Sequence, residues 1–357
     1  MTLQWANRAM LTIDGSRYSG SGTIVRQAVA FSALTGRSIH VVNARAKREK
    51  PGLRPQHIRV VEAVAELVNG CTEGLVQGAQ EFTFRPGSLR TGRRYQWDIG
   101  SAGSTTMLAL GVLPVLAFSG SPVTVELRGG LFQDFAPSAF HLQQVILPIL
   151  RQMGFHAAME IVRPGYVPRG EGILHLTVKP LTGTLQGIIR EEVAPVTRLW
   201  GIAVSSHLEE RHVSRRMADT ARDELAKAGY QAEIEIRNDT ASLQRGAALA
   251  LFAERGQTVR LGADQAGALR RSAESIGKHV AKQLLDDLVT GATLDRFAAD
   301  QIIPFAALAT GESRFHIPTV TDHVLTSAWL AEEFLDAHID IDGPRLTING
   351  AGFRPNS

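Results

Sequence analysis

The stretch that decides the fold runs from Ile13 to Arg45, because the chain states it twice. Ile13-Asp14-Gly15 closes an apolar run, the loop Gly20-Ser21-Gly22-Thr23 follows, and Ile24 to Leu34 carries helical spacing. Thr35-Gly36 stops that helix, and Ser38-Ile39-His40-Val41-Val42 reads as a strand leading to Arg45. The same order returns at Asp98-Ile99-Gly100. There the loop is Ala102-Gly103-Ser104-Thr105, the helix Met107 to Phe118, the stop Ser119-Gly120, and the strand Pro122 to Leu127. Each copy then continues into a second helix behind a proline, Pro55 or Pro137, and into further strands. A unit of the form β-α-β-α-β-β, repeated, is the reading this supports.

Working outward, the segment from about Thr184 to Leu261 breaks the pattern. It has a strand over Leu199 to Val204, a charged amphipathic helix from Glu209 to Ala228, and strands over Ala232 to Ile236 and Ala247 to Phe252. Longer helices return afterwards, and a helix from Asp322 to Leu335 with two strands around Asp342-Gly343 looks like the rear of a third repeat. The expected fold class is α/β (α+β). Three β-α-β-α-β-β repeats form a large domain over 1–184 and 265–357, and a small α/β domain, 185–264, is inserted before the last repeat is completed.

Composition narrows the function. The 357 residues are 44% hydrophobic and 20% charged, with a formal charge of only +3, too small to imply nucleic acid by itself. The distribution is more telling, since Arg45, Lys47, Arg48, Lys50 and Arg54 crowd one stretch against Glu49 alone. Cys71 is the one cysteine, which excludes an intrachain disulfide framework and a paired-cysteine metal site. With no apolar run of transmembrane length and no leader pattern, the chain reads as cytoplasmic. The glycine loop lacks the lysine of a P-loop; it is either a turn that lets a helix start close to a sheet or an anion site. The basic stretch is either a solvated loop or, with Pro51-Gly52 and Gln56-His57 shaping it, a set of cations aimed at phosphate. His323, by spacing alone, reads as a helix-start or surface residue.

Taken together, several segments resemble the RNA 3'-terminal phosphate cyclase family. They are Asp14-Gly15 with the glycine loop and Arg26; Arg45-Ala46-Lys47-Arg48 with Lys50-Pro51-Gly52-Leu53 and Gln56-His57; Gly100-Ser101-Ala102-Gly103-Ser104; Ala299-Asp300-Gln301; and His323-Val324-Leu325-Thr326. The resemblance runs over essentially the whole chain and implies ATP-dependent conversion of an RNA 3'-phosphate to a 2',3'-cyclic phosphate. It implies His323 as the catalytic nucleophile that carries AMP. It places Arg26, Gly103, Ser104, Pro137, Phe297 and Asp300 around ATP, with Pro137 and Phe297 on the two faces of the adenine. Arg45, Arg48, Lys50, Gln56 and His57 fall to RNA or phosphate, and ATP with a divalent metal (Mg or Mn) are the implied cofactors. RNA with a 3'-phosphate end is the implied partner.

Four positions depart from the family's usual residues: Ser19 replaces a glutamate that helps bind metal, Thr23 and Leu110 replace glutamines, and Ser327 replaces an asparagine. The metal ligands are therefore open. Two alternatives stand beside the cyclase reading: an RNA-binding relative without catalysis, like ribosome-assembly proteins of the superfamily, and an adenylyltransferase with another acceptor. Enolpyruvyl transferases stack similar repeats in longer chains, for which this sequence has no room.

Overall fold

The computed structural model describes residues 10–89 and 94–354. The first repeat comprises β1 (Leu11–Asp14), α1 (Gly22–Thr35), β2 (Ile39–Val42), α2 (Pro55–Val68), β3 (Cys71–Glu73) and β4 (Phe82–Arg85). The second comprises β5 (Arg94–Asp98), α3 (Thr105–Ala117) and β6 (Val123–Gly129). It continues with a helical run of α4 (Ala139–His141), a π-helical turn (Leu142–Ile146) and α5 (Leu147–Gln152), then β7 (His156–Arg163) and β8 (Gly172–Lys179). A two-residue strand, β9 (Ile189–Arg190), precedes the insert: β10 (Val196–Ser206), α6 (Val213–Lys227), β11 (Ala232–Asp239), β12 (Gly246–Arg255), β13 (Val259–Ala266) and α7 (Ala273–Val289). The chain closes with α8 (Ala298–Gln301), α9 (Ile303–Leu308), β14 (Thr310–His316), α10 (Asp322–Phe334), β15 (His338–Asp342) and β16 (Arg345–Ala351).

Three sheets share one topology. Their strand orders are β1-β2-β4-β3, β5-β6-β8-β7 and β9-β14-β16-β15. In each the first pair is parallel, joined by a helical crossover, and the remaining pairs are antiparallel. β9 supplies the leading strand of the third sheet, so the insert falls between that strand and the helices α8 and α9 that follow it. Helices from the three units then pack on one another, α1 against α2, α3 and α10, and α2 against α3. Their apolar faces, including Val25, Val29, Val60, Val64, Val112 and Leu330, make one continuous core. α3 sits at its centre and is buried along nearly its whole length, because its sequence is apolar on all sides.

The insert has its own core. Met217, Ala221 and Leu225 of α6 meet Ile276, Val280 and Leu284 of α7 over Leu249, Leu251 and Leu261 of the four-stranded sheet β11-β10-β12-β13. The opposite face of that sheet, with Ile202, Val204 and Phe252, joins the core of the repeats. Two local readings shift. α6 starts at Val213 rather than Glu209, because His212 adopts a left-handed φ of 50° after a single tight turn. α7, grouped from the sequence with the large domain, spends its apolar face on the small sheet, so this packing unit extends through Val289.

Candidate active site

Two helix starts define the site. Ser21 caps α1, accepting a hydrogen bond from the Thr23 amide at 3.3 Å, and Thr321 caps α10, accepting from the Val324 amide at 3.2 Å. α1 and α10 lie against each other, so the start of one faces the start of the other. The contact is a ladder of polar side chains. Thr326 Oγ1 lies 2.8 Å from Ser19 Oγ and accepts from the Ser19 amide at 3.2 Å; Thr23 Oγ1 lies 3.0 Å from His323 Nδ1; Gln27 Nε2 donates to Ser327 Oγ at 2.8 Å. Thr23 and Gln27 lie one turn apart on the same face of α1, and Ser19 sits in the loop just before its cap. Three of the four positions that depart from the family's pattern, Ser19, Thr23 and Ser327, thus bond to one another's helices. The fourth, Leu110, is simply buried on α3.

The ladder fixes the His323 ring. Its Nδ1 is engaged by Thr23, and the Thr23 hydroxyl also accepts from Arg26 Nη2 at 3.2 Å. Burial, with Arg26 and Arg48 nearby, lowers the His323 pKa to about 4, so the imidazole is neutral at physiological pH. In the tautomer in which Nδ1 donates to Thr23, Nε2 carries a free lone pair. Arg26 itself is buried, which lowers its pKa to about 10 and leaves it charged. Asp300, its electrostatic partner, is raised by burial to about 7 against the opposing pull of Arg26.

A cavity of about 270 Å³ opens beside this arrangement, and its wall includes Arg26, Arg45, Arg48, Gln56, Ser104 and His323. His57 lines it too. Its Nδ1 accepts from the Arg54 amide at 3.1 Å, closing the first turn of α2, and burial with the surrounding arginines drives its pKa well below the usual value. His57 therefore presents a neutral N–H to the cavity, not a positive charge. Gly22 lies directly on that ring, and a Cβ at Gly22 would collide with it. Gln56 ties the first repeat to the second, its Oε1 accepting from the Ser104 amide at 3.0 Å where Ser104 caps α3. Gly103 allows that approach, since a Cβ there would lie 2.9 Å from Gln56 Cβ.

Arg45 adopts a left-handed φ of 58° and donates to the carbonyls of Lys50, at 3.0 Å, and Gly52, at 2.6 Å, so it shapes the basic loop as well as facing the cavity. Lys50 contributes that carbonyl and is not part of the wall. Gly103, Pro137, Phe297 and Asp300 also lie outside the wall. The Pro137 carbonyl accepts from Thr106 Oγ1 at 2.7 Å. Phe297 is half-buried at the start of α8, its ring edge-on to His141 at 5.6 Å and its amide held by Asp295 at 2.9 Å. His141 and Asp295 form a fully buried pair at 3.0 Å. Sequence reasoning singled out neither Thr23 as a contact of the histidine nor the wall segment Gln133 to Ala136. Thr23 was visible only as a departure, and 133–136 carries no pattern of its own.

Among the described residues, no group of three or more His, Cys, Asp or Glu side chains could hold a metal ion. Asp134 is the carboxylate in the cavity wall, and Arg271 holds it at 2.8 and 2.9 Å. A protein-built metal cage does not fit these residues. Nor, among the described residues, is any helix long and apolar enough to cross a membrane.

Stacked α/β repeats thus bring a neutral histidine and several arginines to one cavity. Residues 17–341 match the family model described as RNA 3'-terminal phosphate cyclase. The chain is 35% identical over 335 residues to the RNA 3'-terminal phosphate cyclase of Pyrococcus furiosus, covering 94% of this chain and 96% of that one. It is 37% identical over 336 residues to the protein of the same name from Methanothermobacter thermautotrophicus, covering 94% and 97%. This chain belongs to the RNA 3'-terminal phosphate cyclase family. Against the solved enolpyruvyl transferase NikO of Streptomyces tendae the TM-score is 0.41 at 10% identity, over 97% of this chain and 49% of that one, too distant a likeness to bear on function.

Proposed function

We propose that this chain converts an RNA 3'-phosphate to a 2',3'-cyclic phosphate at the expense of ATP, with His323 as the covalent carrier of AMP. The observation that carries the mechanism is the state of His323: neutral, with Nδ1 tied to Thr23 and Nε2 free, in one cavity with Arg26 and Arg48. Nε2 attacks the α-phosphorus of ATP, the bond to the bridging oxygen breaks, and pyrophosphate leaves. The positive charge that appears on the ring is shared through Nδ1–H with the Thr23 hydroxyl. Arg26, Arg45 and Arg48 stabilise charge on the phosphoryl oxygens as fixed donors, without reorganising during the step. An oxygen of the RNA 3'-phosphate then attacks the same phosphorus, the P–N bond breaks, and the imidazole regains its lone pair. Attack of the ribose 2'-oxygen on the 3'-phosphorus expels AMP, and the hydroxyl proton leaves to solvent or a phosphate oxygen.

By resemblance, Pro137, Phe297 and Asp300 take the adenine, and Gly103 and Ser104 the nucleotide's phosphate or ribose. Lys50, Gln56 and His57 complete the RNA end with the arginines. A divalent ion would bind through substrate phosphates rather than a protein cage.

The test is ATP labelled at the α-phosphate, given to the wild-type chain and to His323→Ala with Mg or Mn. Acid-labile label on the wild type alone, chased onto RNA bearing a 3'-phosphate, is the expected result. Label that does not chase points to another acceptor. No label with either metal refutes the catalytic reading in favour of an RNA-binding relative.

A further inference from the structure

We infer that the RNA strand leading to the reacting end lies in a groove between the second repeat and the inserted unit, and enters the cavity past Phe135. The groove, about 740 Å³, is walled by Tyr166, Val167, Arg211, Arg245, Leu269 and Arg270 among others. Two further arginines in its wall are neutralised, Arg216 by Glu274 at 2.7 Å and Arg271 by Asp134 at 2.8 Å. Arg211, Arg245 and Arg270 are exposed and have no acidic partner among the described residues. Beside them Leu269 is 95% exposed and Val167 is 56% exposed. Unpaired cations interleaved with exposed apolar side chains suit a single strand, which offers phosphates to the first and base faces to the second.

The groove and the catalytic cavity share a wall. Arg271 belongs to the groove and Asp134 to the cavity, and their two-pronged ion pair is the partition between them. Directly after Asp134 comes Phe135, in the cavity wall, 98% exposed and held at a φ of 64°. A bulky residue in the left-handed region is strained, and such strain concentrates at ligand contacts. Here it stands a large flat ring in water at the mouth of an arginine-lined cavity. A base stacked on that ring would place the following phosphate at the cavity while the preceding phosphates cross the partition to Arg270, Arg245 and Arg211. The assignment rests on the RNA-end reading above, and it gives the inserted unit a role as one bank of the substrate path.

Binding of labelled 3'-phosphate oligoribonucleotides to the full chain, followed by fluorescence anisotropy at several salt concentrations, tests this without any turnover. A dinucleotide reaches only the cavity and Phe135; an RNA of about twelve nucleotides also spans the groove. Replacing Arg211, Arg245 and Arg270 together by Ala should leave the dinucleotide unchanged and weaken the longer RNA. The slope of log affinity against log salt should fall by about 2, from ~0.7 per lost phosphate contact on a single strand. Phe135→Ala should weaken both RNAs about 5- to 10-fold, and Phe135→Trp should restore them. The exposed positions leave the melting midpoint unchanged, which separates lost contacts from lost fold.

Wild-type affinity and slope for the long RNA in the triple variant would overturn the groove, as would equal losses for both lengths. An oligo-glutamate of matching charge that displaces the long RNA as well as unlabelled RNA does would overturn it in favour of an acidic peptide. Length-dependent binding that persists when His323 takes no label would keep this inference and sink the catalytic reading.

Discussion

Replacing Thr23 by valine isolates the hydroxyl that holds the ring of His323, the proposed carrier of AMP. Valine keeps the shape and removes the oxygen that lies 3.0 Å from His323 Nδ1 and accepts from Arg26 at 3.2 Å. In the ground state the histidine contact joins two neutral groups and is worth about 1 kcal/mol; as Nε2 bonds to phosphorus the ring becomes cationic, and a charged hydrogen bond is worth ~1.5–3 kcal/mol. The difference, about 0.5–2 kcal/mol, is what the transition state alone loses. At 1.36 kcal/mol per decade, transfer of AMP to the enzyme should slow by more than about 2-fold and up to about 30-fold at saturating ATP. The Arg26 donor left unpaired should also lower stability by roughly 1–3 kcal/mol, read in urea. The assay is single-turnover labelling from α-labelled ATP, with Thr23→Ser, which restores the oxygen, as the rescue. Labelling by Thr23→Val within twofold of wild type would refute the idea that this hydroxyl positions the ring.

Other expectations follow from the same geometry. In the free enzyme the His323 imidazole should titrate near pH 4, read from its ring-proton NMR shift and assigned by its loss in His323→Gln; a midpoint near the ordinary 6.5 would mean the ring is not enclosed as described. Asp300 has a folded pKa of about 7, above its unfolded value, so the folded state holds its proton and this group's contribution to stability falls as pH rises from about 4 to 7. Asp300→Asn should flatten that part of the stability–pH curve and raise stability above pH 7, measured by denaturant midpoints; an unchanged curve would remove Asp300 as its source. Gly22→Ala forces a methyl into the His57 ring and should cost about 1–3 kcal/mol by overpacking, with ATP binding weakened in parallel when followed by calorimetry.

The repeats were legible because each one repeats its punctuation: a polar loop, a glycine stop and a basic strand end recur, and apolar spacing fills the intervals. The third copy was legible only in its rear half. Its leading strand is two residues long, Ile189–Arg190, and its partner β14 lies beyond the whole insert, so no local window contains both. The sequence division grouped α7 with the large domain, whereas its apolar face packs on the small sheet. The apolar face of α7 does not reveal which sheet it will cover. At the site, the resemblance drew attention to the cations near Arg45 and to His323, which share one cavity, yet nothing in the sequence paired Thr23 with His323. A threonine one turn into a helix carries no mark of a partner at position 323. The neutrality of His57 was equally hidden, since it follows from burial and from arginines supplied by two elements.

The pairing of α1 with α10 has a consequence in time. Thr23 and His323 are 300 positions apart, as are Gln27 and Ser327. The cations and glycine loop leave the ribosome early, while His323 follows Thr23 by 300 residues. Until then the first repeat has an open flank where α10 will sit, and contacts of such sequence separation are slow to form. Synthesis itself therefore keeps the reactive group apart from its electrostatic surroundings, and competence comes in one late event rather than by degrees. A chain interrupted before Asp322 would keep the basic loop and lack His323, the residue proposed to carry AMP.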